Sequence, residues 1–221
     1  MSTTTAEPEL RPESEAPAAA PVRPTVALVA RRFAWSGALV ALDLWSKAAV
    51  FGWLEPLRHA DALEYDLHGH PRWPLAGEWL TFMLSLNPGA AFGQLDAFPY
   101  LLVGGRIAAV VFLAWLIVRT PRGRPGFSLA LVLVLGGALG NLYDNLLRAR
   151  DLDLDRWYAE LPFGPVRDFI DVYFAVWDWH FPTFNVADSC ITVGAALLLL
   201  SGFGSGGARK GGPAAPERGA A

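Results

Sequence analysis

The chain has 221 residues, of which 53% are hydrophobic and 18% are charged, and its formal net charge is -3. So apolar a composition is unusual for a soluble domain of this length and is typical of a small membrane protein. The slightly acidic balance gives no sign of nucleic-acid binding, and the single cysteine, Cys190, excludes an internal disulfide and a Cys-x-x-Cys metal site.

The two ends of the chain differ in composition from the rest. Residues 1–24 are rich in Ala, Pro, Glu and Thr, and residues 204–221 in Gly, Ala and Pro. Because such segments have little apolar surface to bury, we expect two disordered tails around one domain at residues 25–203. The first apolar run carries Asp43 and Lys47, which favours a retained span over a cleaved signal peptide.

Four segments approach the length of a membrane-spanning helix, about 20 residues for a hydrocarbon core of about 30 Å. They are residues 33–54, 99–118, 126–146 and 184–203. Arginines or lysines precede the first segment, fill the connection between the second and third, and follow the fourth, which predicts cytoplasmic N- and C-termini. The predicted fold class is therefore membrane all-α, with four transmembrane helices.

The two long connections, residues 55–98 and 147–183, then lie on the outer side and are rich in tryptophan, as expected at the level of the lipid headgroups. The stretch "EWLTFMLSL" at 78–86 predicts a small platform or β element between spans one and two. The sequence leaves open whether it is a strand or an amphipathic segment.

Polar clusters interrupt the spans near their predicted outer ends. They are "DLWSK" at 43–47, "NPGAAFG" at 87–93, "GNLYDN" at 140–145, and the pair "VRDFID" and "FNVAD" around Asp168 and Asp188. Ionisable groups inside a membrane are costly and usually face a protein interior or a watery cavity. The pattern predicts a site among the helices near the outer face.

Spans three and four run in opposite directions, so Asp168 and Asp188 can converge at that face. Two neighbouring carboxylates cannot both ionise easily, so one holds a proton while the other stays charged. Such a pair supplies a base for water and an acid for an amide leaving group. The amides of Asn87, Asn141 and Asn185 suit pairing with a peptide backbone, although each alone could merely cap a helix or close a turn.

Taken in order, "DLWSK", "NPGAAFG", "GGALGNLYD", "VRDFID" and "FNVADS" resemble the motifs of the lipoprotein signal peptidases, the type II signal peptidases of bacteria, over about residues 30–203. The resemblance implies an intramembrane aspartic endopeptidase that cleaves diacylglyceryl-modified prolipoproteins immediately before the lipidated cysteine. It implies Asp168 and Asp188 as the catalytic pair. Substrate-binding or supporting roles are implied for Asp43, Lys47, Asn87, Gly89, Asn141, Asp144 and Asn185.

The same resemblance implies a multi-pass protein of the bacterial cytoplasmic (inner) membrane with its active site near the extracytoplasmic face. Its implied partners are lipidated prolipoproteins, membrane lipids and globomycin-type inhibitors. We expect a monomer, with no cofactor, no metal and no nucleic-acid partner.

One position departs from the family motif, which usually has arginine directly after the aspartate of "GNLYD", whereas this chain has Asn145. If the helix continues, Arg148 shares a face with Asp144 and would supply the missing guanidinium. Arg106, in span two, is expected to extend towards the outer headgroups.

Several alternatives stand beside this interpretation. Asp171 competes with Asp168 within one motif, and Asp43 with Lys47 could be a purely structural ion pair. His68 and His70 lack a third metal ligand at convincing spacing. As a whole, the chain could be a catalytically inactive relative that binds lipoproteins or inhibitors, or a small proton-coupled transporter, although its inner helix halves are apolar.

Overall fold

The structure, a computed structural model, describes residues 22–66, 69–89, 95–148 and 161–203. Most of the two predicted tails lies outside these residues. Four helices are described: α1 (Val26–His59), α2 (Pro99–Arg119), α3 (Pro125–Tyr143) and α4 (Val186–Phe203). By length and composition, the first three can cross a membrane, whereas the described apolar run of the fourth, Val186–Ser201, is shorter.

The helix ends follow local signals in the sequence. Thr25 caps α1, and its hydroxyl accepts a hydrogen bond from Leu28 N at 3.4 Å. Both α2 and α3 begin with proline, which fits the first helical turn because the missing N–H has no partner there anyway. α1 starts seven residues before the predicted span, so it is longer than its apolar run alone indicates.

Helix α3 packs against each of the other three helices. Glycines allow this close approach: a Cβ on Gly136 would lie 2.9 Å from Leu39 Cβ of α1, and a Cβ on Gly137 would collide with the Ala187 carbonyl oxygen of α4. The "GGALG" stretch is thus a helix-packing surface, and it brings Asn141, the next residue, to the centre of the bundle.

Five antiparallel strands form one sheet in sequence order: β1 (Glu64–Tyr65), β2 (Pro71–Ala76), β3 (Leu80–Asn87), β4 (Val166–Phe174) and β5 (Trp179–Phe184). The all-α prediction is therefore wrong, as is the confinement of β structure to the first connection. Strands β4 and β5 come from the second connection, where Arg167, Asp168 and Asp171 interrupt the apolar alternation that identifies a strand.

Two apolar clusters hold the fold together at opposite ends. Val50, Phe51 and Leu54 of α1 pack with Phe169 of β4, which fixes the sheet on the end of the bundle. The second cluster joins α2 to α3, and its buried members are Leu113, Ile117, Leu131, Val132 and Leu135. A layer of buried polar side chains lies between the two clusters.

Candidate active site

Asp188 lies in the first turn of α4, where a reciprocal pair of hydrogen bonds fixes it. Its backbone N–H donates to Asn185 Oδ1 at 2.9 Å, and its Oδ2 accepts from Asn185 N at 3.2 Å. This is a capping box, which satisfies backbone donors at the start of the helix. Asn141 Nδ2 of α3 donates to the other oxygen, Oδ1, at 2.8 Å. The carboxylate is thus held from two helices.

Asp168 lies on β4 and is 2% exposed. Its Oδ1 accepts from Asn185 Nδ2 at 2.7 Å, and its Oδ2 accepts from Asn87 Nδ2 of β3 at 3.1 Å. Asn185 therefore contacts both acids, and both line the same cavity. The structure brings together the two carboxylates that the sequence predicted to converge.

Burial raises the pKa of Asp168 to about 7, and the charge of Asp188 acts in the same direction. The hydrogen bonds from Asn87 and Asn185 oppose the rise but do not cancel it. Near neutral pH, Asp168 is therefore divided between its protonated and ionised forms. A carboxyl group that keeps a proton near neutral pH can act as a general acid.

Asp171, the competing carboxylate, has different partners. Thr81 Oγ1 donates to its Oδ2 at 3.0 Å, and His180 Nδ1 lies 3.1 Å from its Oδ1. Because side chains alternate along a strand, residues three apart point to opposite faces. Asp168 lines the cavity and Asp171 does not.

A buried ionic layer supports the acids. Lys47 Nζ of α1 lies 2.8 Å from Asp43 Oδ2 and 3.2 Å from Asp144 Oδ2, and it donates to Asn141 Oδ1 at 2.9 Å. Asp43 Oδ1 accepts from Ala187 N in the first turn of α4 at 2.9 Å. Neither Lys47 nor Asp43 lines the cavity, so this geometry agrees with a structural ion pair that fixes Asn141 and α4.

The guanidinium beside Asp144 comes from the sheet. Arg167 of β4 donates to Asp144 Oδ1 from Nη2 at 2.6 Å and from Nε at 3.2 Å. The prediction that Arg148 lies on the face of Asp144 assumed that the α-helix continues. That assumption is wrong, because Asp144–Arg148 forms a π-helical turn with a different residue spacing. The side chain of Arg148 lies outside the described residues.

Arg106 of α2 is the site residue whose position the sequence did not indicate. The prediction that it extends to the outer headgroups is wrong: it lines the cavity and donates to Asn145 Oδ1 and, at 3.2 Å, to the Gly89 carbonyl oxygen. Gly89 in turn donates its N–H to Asn87 Oδ1 at 3.0 Å. The remainder of "NPGAAFG", residues 90–93, lies outside the described residues. The sequence signal for this position was a lone arginine within an apolar span, since such residues usually face a protein interior or a cavity.

The cavity has a volume of about 710 Å³ and combines a polar end with a long apolar wall. Its charged and amide side chains are Asn87, Arg106, Asn141, Asp168 and Asp188. Its apolar wall comes from α2, α3 and α4 and includes Ala109, Leu113, Val134, Ala138 and Ile191. Among the described residues, no group of three or more His, Cys, Asp or Glu side chains could hold a metal ion. The arrangement suits acid–base chemistry on an amphiphilic substrate.

Similarity to known proteins covers most of the chain. A family model described as signal peptidase (SPase) II matches residues 35–203. The lipoprotein signal peptidase of Alteromonas mediterranea is 33% identical over 185 residues, which cover 79% of this chain and 82% of that protein. That of Burkholderia vietnamiensis is 41% identical over 129 residues, 55% of this chain and 64% of that protein.

Two solved structures of bacterial membrane enzymes share the fold. One has a TM-score of 0.61 at 20% identity and covers 89% of this chain and 100% of its own. The other has a TM-score of 0.55 at 22% identity, with 78% and 92% covered. At these identities, the likeness concerns the fold alone.

Proposed function

The chain belongs to the signal peptidase II family, and we propose that it is an aspartic endopeptidase in which Asp168 and Asp188 cleave the signal peptide of lipid-modified prolipoproteins. Family membership makes it a peptidase of the bacterial inner membrane. The proposal adds the catalytic type, the acting residues and the bond, which lies immediately before the lipidated cysteine.

One observation carries the catalytic proposal: Asn185 contacts both carboxyl groups, and both groups face one cavity. The raised pKa of Asp168 supports it as the proton holder. Asp188, which accepts N–H bonds on both oxygens, then acts as the base.

The hydrolysis balances without a metal or a covalent intermediate. Asp188 takes a proton from a water molecule as the water oxygen bonds to the scissile carbonyl carbon. Asp168 gives its proton to the amide nitrogen as the carbon–nitrogen bond breaks. A carboxylic acid and an amine leave, and transfer of one proton from Asp188 to Asp168 restores the starting state. The positive charge of Arg106, on the wall of the same cavity, favours the negative charge that develops on the carbonyl oxygen.

Charge distribution supports a four-span arrangement with cytoplasmic termini. The arginines near the start of α1 and between α2 and α3 lie at the end of the bundle opposite the sheet and the acids. Helix α4 has 18 residues, about 27 Å at about 1.5 Å per residue, close to the thickness of the hydrocarbon core. The acids would then lie near the extracytoplasmic face.

In this arrangement, the apolar wall of the cavity receives the acyl chains and the apolar part of the signal peptide, while Asn87 and Arg106 meet the peptide near the scissile bond. A globomycin-type cyclic peptide would compete for the same space. One copy of the chain supplies both acids, so we propose that a monomer is active.

Cleavage of a defined precursor by the purified protein tests the proposal. We expect a diacylglyceryl-modified precursor to be cut before its cysteine, as read from the product masses, and the unmodified precursor to remain intact. Globomycin should stop the reaction. Binding of the modified precursor without any cleavage would favour an inactive relative. The transporter alternative has less support, since the described helix halves beyond the acids meet in an apolar cluster.

A further inference from the structure

A second cavity, of about 820 Å³, opens between α1 and α3 at the end of the bundle opposite the acids. Its lining comes from the first half of α1, the connection after α2 and the first half of α3. No residue of this cavity belongs to the site of Asp168 and Asp188, so the proposed hydrolysis leaves it without a role.

Positive charge dominates this cavity. Arg31, Arg32, Arg122 and Arg124 line it, and no acidic residue does. Residues 22–42 and 99–139, which include the whole lining, contain no Asp or Glu in the sequence. Among the lining residues, the arginines therefore have no carboxylate to neutralise them.

Arg32 adds a positive charge that none of its described partners neutralises. It is only 5% exposed, and those partners are neutral. Its Nη1 donates to the carbonyl oxygens of Ile117 at 2.9 Å and Thr120 at 2.8 Å, at the end of α2. These carbonyls hold the guanidinium in place, and none of them belongs to an ionised group that would neutralise its charge.

Two buried polar atoms of the lining have no hydrogen-bond partner among the described residues: Arg32 Nε and Ser128 Oγ. Ser128 also lies in the first turns of α3, whose N-cap residue, Arg124, makes no side-chain capping bond. Open donors, a positive helix end and a surplus of arginine together fit an anion that accepts several hydrogen bonds.

The remaining wall is apolar and includes Trp35, Leu129 and Leu133. A small inorganic anion would use only the arginine end, whereas an amphiphile with a charged head would use both parts. We propose that this cavity binds an anionic phospholipid, with its phosphate at the end lined by Ser128 and the four arginines and its acyl chains along the apolar wall. In the four-span arrangement proposed above, the lipid belongs to the cytoplasmic leaflet.

The chain itself offers a competing occupant. Arg122 N donates to the Val22 carbonyl oxygen at 3.0 Å, so residues 1–21, with four glutamates, continue from the rim of the cavity. Such a segment supplies negative charge but no long apolar chain to cover Trp35 and Leu129. The lipid therefore fits the whole lining better than this segment does.

Native mass spectrometry of the detergent-solubilised full chain tests the proposal, with phosphatidylglycerol and phosphatidylcholine of equal chain length as probes. We expect preferential binding of phosphatidylglycerol. The double variant Arg122→Gln/Arg124→Gln should weaken that binding by about fivefold for each arginine removed. It should weaken phosphatidylcholine binding less, because the choline cation offsets the charge of that lipid's phosphate. Arg58→Gln/Arg72→Gln, which removes equal charge near the sheet, is the matched control and should bind like the unsubstituted protein.

Several outcomes would overturn the proposal. Equal binding of the two lipids, or equal losses in the two double variants, would remove the specific site. Displacement of the lipid by inorganic phosphate would indicate a site for free anions. A large gain in lipid binding after deletion of residues 2–21 would identify the N-terminal segment as the occupant. Precursor cleavage by the Arg122→Gln/Arg124→Gln variant shows independently that the variant is folded.

Discussion

Arg106 of α2 donates a hydrogen bond to the side-chain oxygen of Asn145, which lies in the π-helical turn after α3. The resemblance of the sequence motifs implies arginine at position 145, and here Arg106 places a guanidinium beside the asparagine at that position. The same guanidinium bonds to the Gly89 carbonyl oxygen and faces the cavity. We interpret Arg106 and Asn145 as an exchange of roles between two helices.

This exchange predicts that Arg106→Gln lowers kcat/KM for a lipidated precursor by about 10- to 100-fold, because a hydrogen-bonding positive charge is lost from the cavity. The double variant Arg106→Asn/Asn145→Arg should recover part of the activity, since it returns a guanidinium to the same region. Steady-state kinetics on the single and double variants measure both effects. Additive losses in the double variant would contradict the exchange.

The paired-acid proposal predicts a contrast within one strand. Asp168→Asn and Asp188→Asn should each lower kcat by at least about 100-fold, because each removes a proton donor or acceptor from the reaction. Asp171→Asn is the matched control: Asp171 is just as buried but bonds to Thr81 and His180 outside the cavity. It should retain most of its turnover of lipidated precursor. If Asp171→Asn were inactive and Asp168→Asn active, Asp171 would replace Asp168 as the proposed catalytic residue.

The raised pKa of Asp168 predicts how activity depends on pH. Asp168 must be protonated to act as the acid, so kcat/KM should fall as the pH rises through about 7. The rate profile from about pH 5 to about pH 9 measures this limb. A flat profile above about pH 7 would separate Asp168 from the proton donor.

The same pKa has a consequence for stability. The folded-state pKa of Asp168, about 7, lies above its ordinary value of 3.8, so the folded chain binds more protons than the unfolded chain between these values. Stability therefore falls as the pH rises through that window, by on the order of 4 kcal/mol at most. Asp168→Asn removes this titrating carboxyl group. The thermal midpoint of the variant minus that of the unsubstituted protein should therefore increase as the pH is raised from about 4 to about 8.

Parts of this architecture could be predicted from one sequence. The apolar runs located the helices, and the polar clusters near their ends contain Asn87, Asn141, Asp168 and Asp188, which line the cavity. Strand β4 was missed because Arg167 and Asp168 stand where a soluble sheet would have apolar residues. These two polar residues can be buried because Arg167 pairs with Asp144 and Asp168 accepts a hydrogen bond from Asn185.

The direction of a long side chain could not be predicted in the same way. Arg106 could extend to the headgroups or turn inward, and its inward direction depends on the positions of Asn145 and Gly89, which are distant in the sequence. The role given to Arg148 depended on helix geometry beyond Asp144, where the chain forms a π-helical turn.

The buried ionic layer predicts a large loss of stability when its central cation is removed. Lys47 is 0% exposed and serves Asp43 and Asp144 together, so Lys47→Met leaves two buried carboxylates without it. We expect a loss of roughly 3–5 kcal/mol in unfolding free energy. Arg58→Gln is the control, because its pair with Glu55 at 3.6 Å is partly exposed and should contribute less than about 1 kcal/mol. Equal losses of unfolding free energy in the two variants would mean that burial does not determine how much these ion pairs contribute to stability.

Glycine at the packing surface of α3 gives the last prediction. A Cβ on Gly140 would collide with the Asp43 carboxylate, whereas a Cβ on Gly105 of α2 would meet nothing within 4 Å. Gly140→Ala should therefore lower stability by about 1–3 kcal/mol through overpacking. Gly105→Ala should be neutral or stabilise by up to about 1 kcal/mol, because alanine is the better helix former. Since Asp43 also accepts from Ala187 N, displacing it should disturb the first turn of α4 and slow precursor cleavage only in the Gly140 variant.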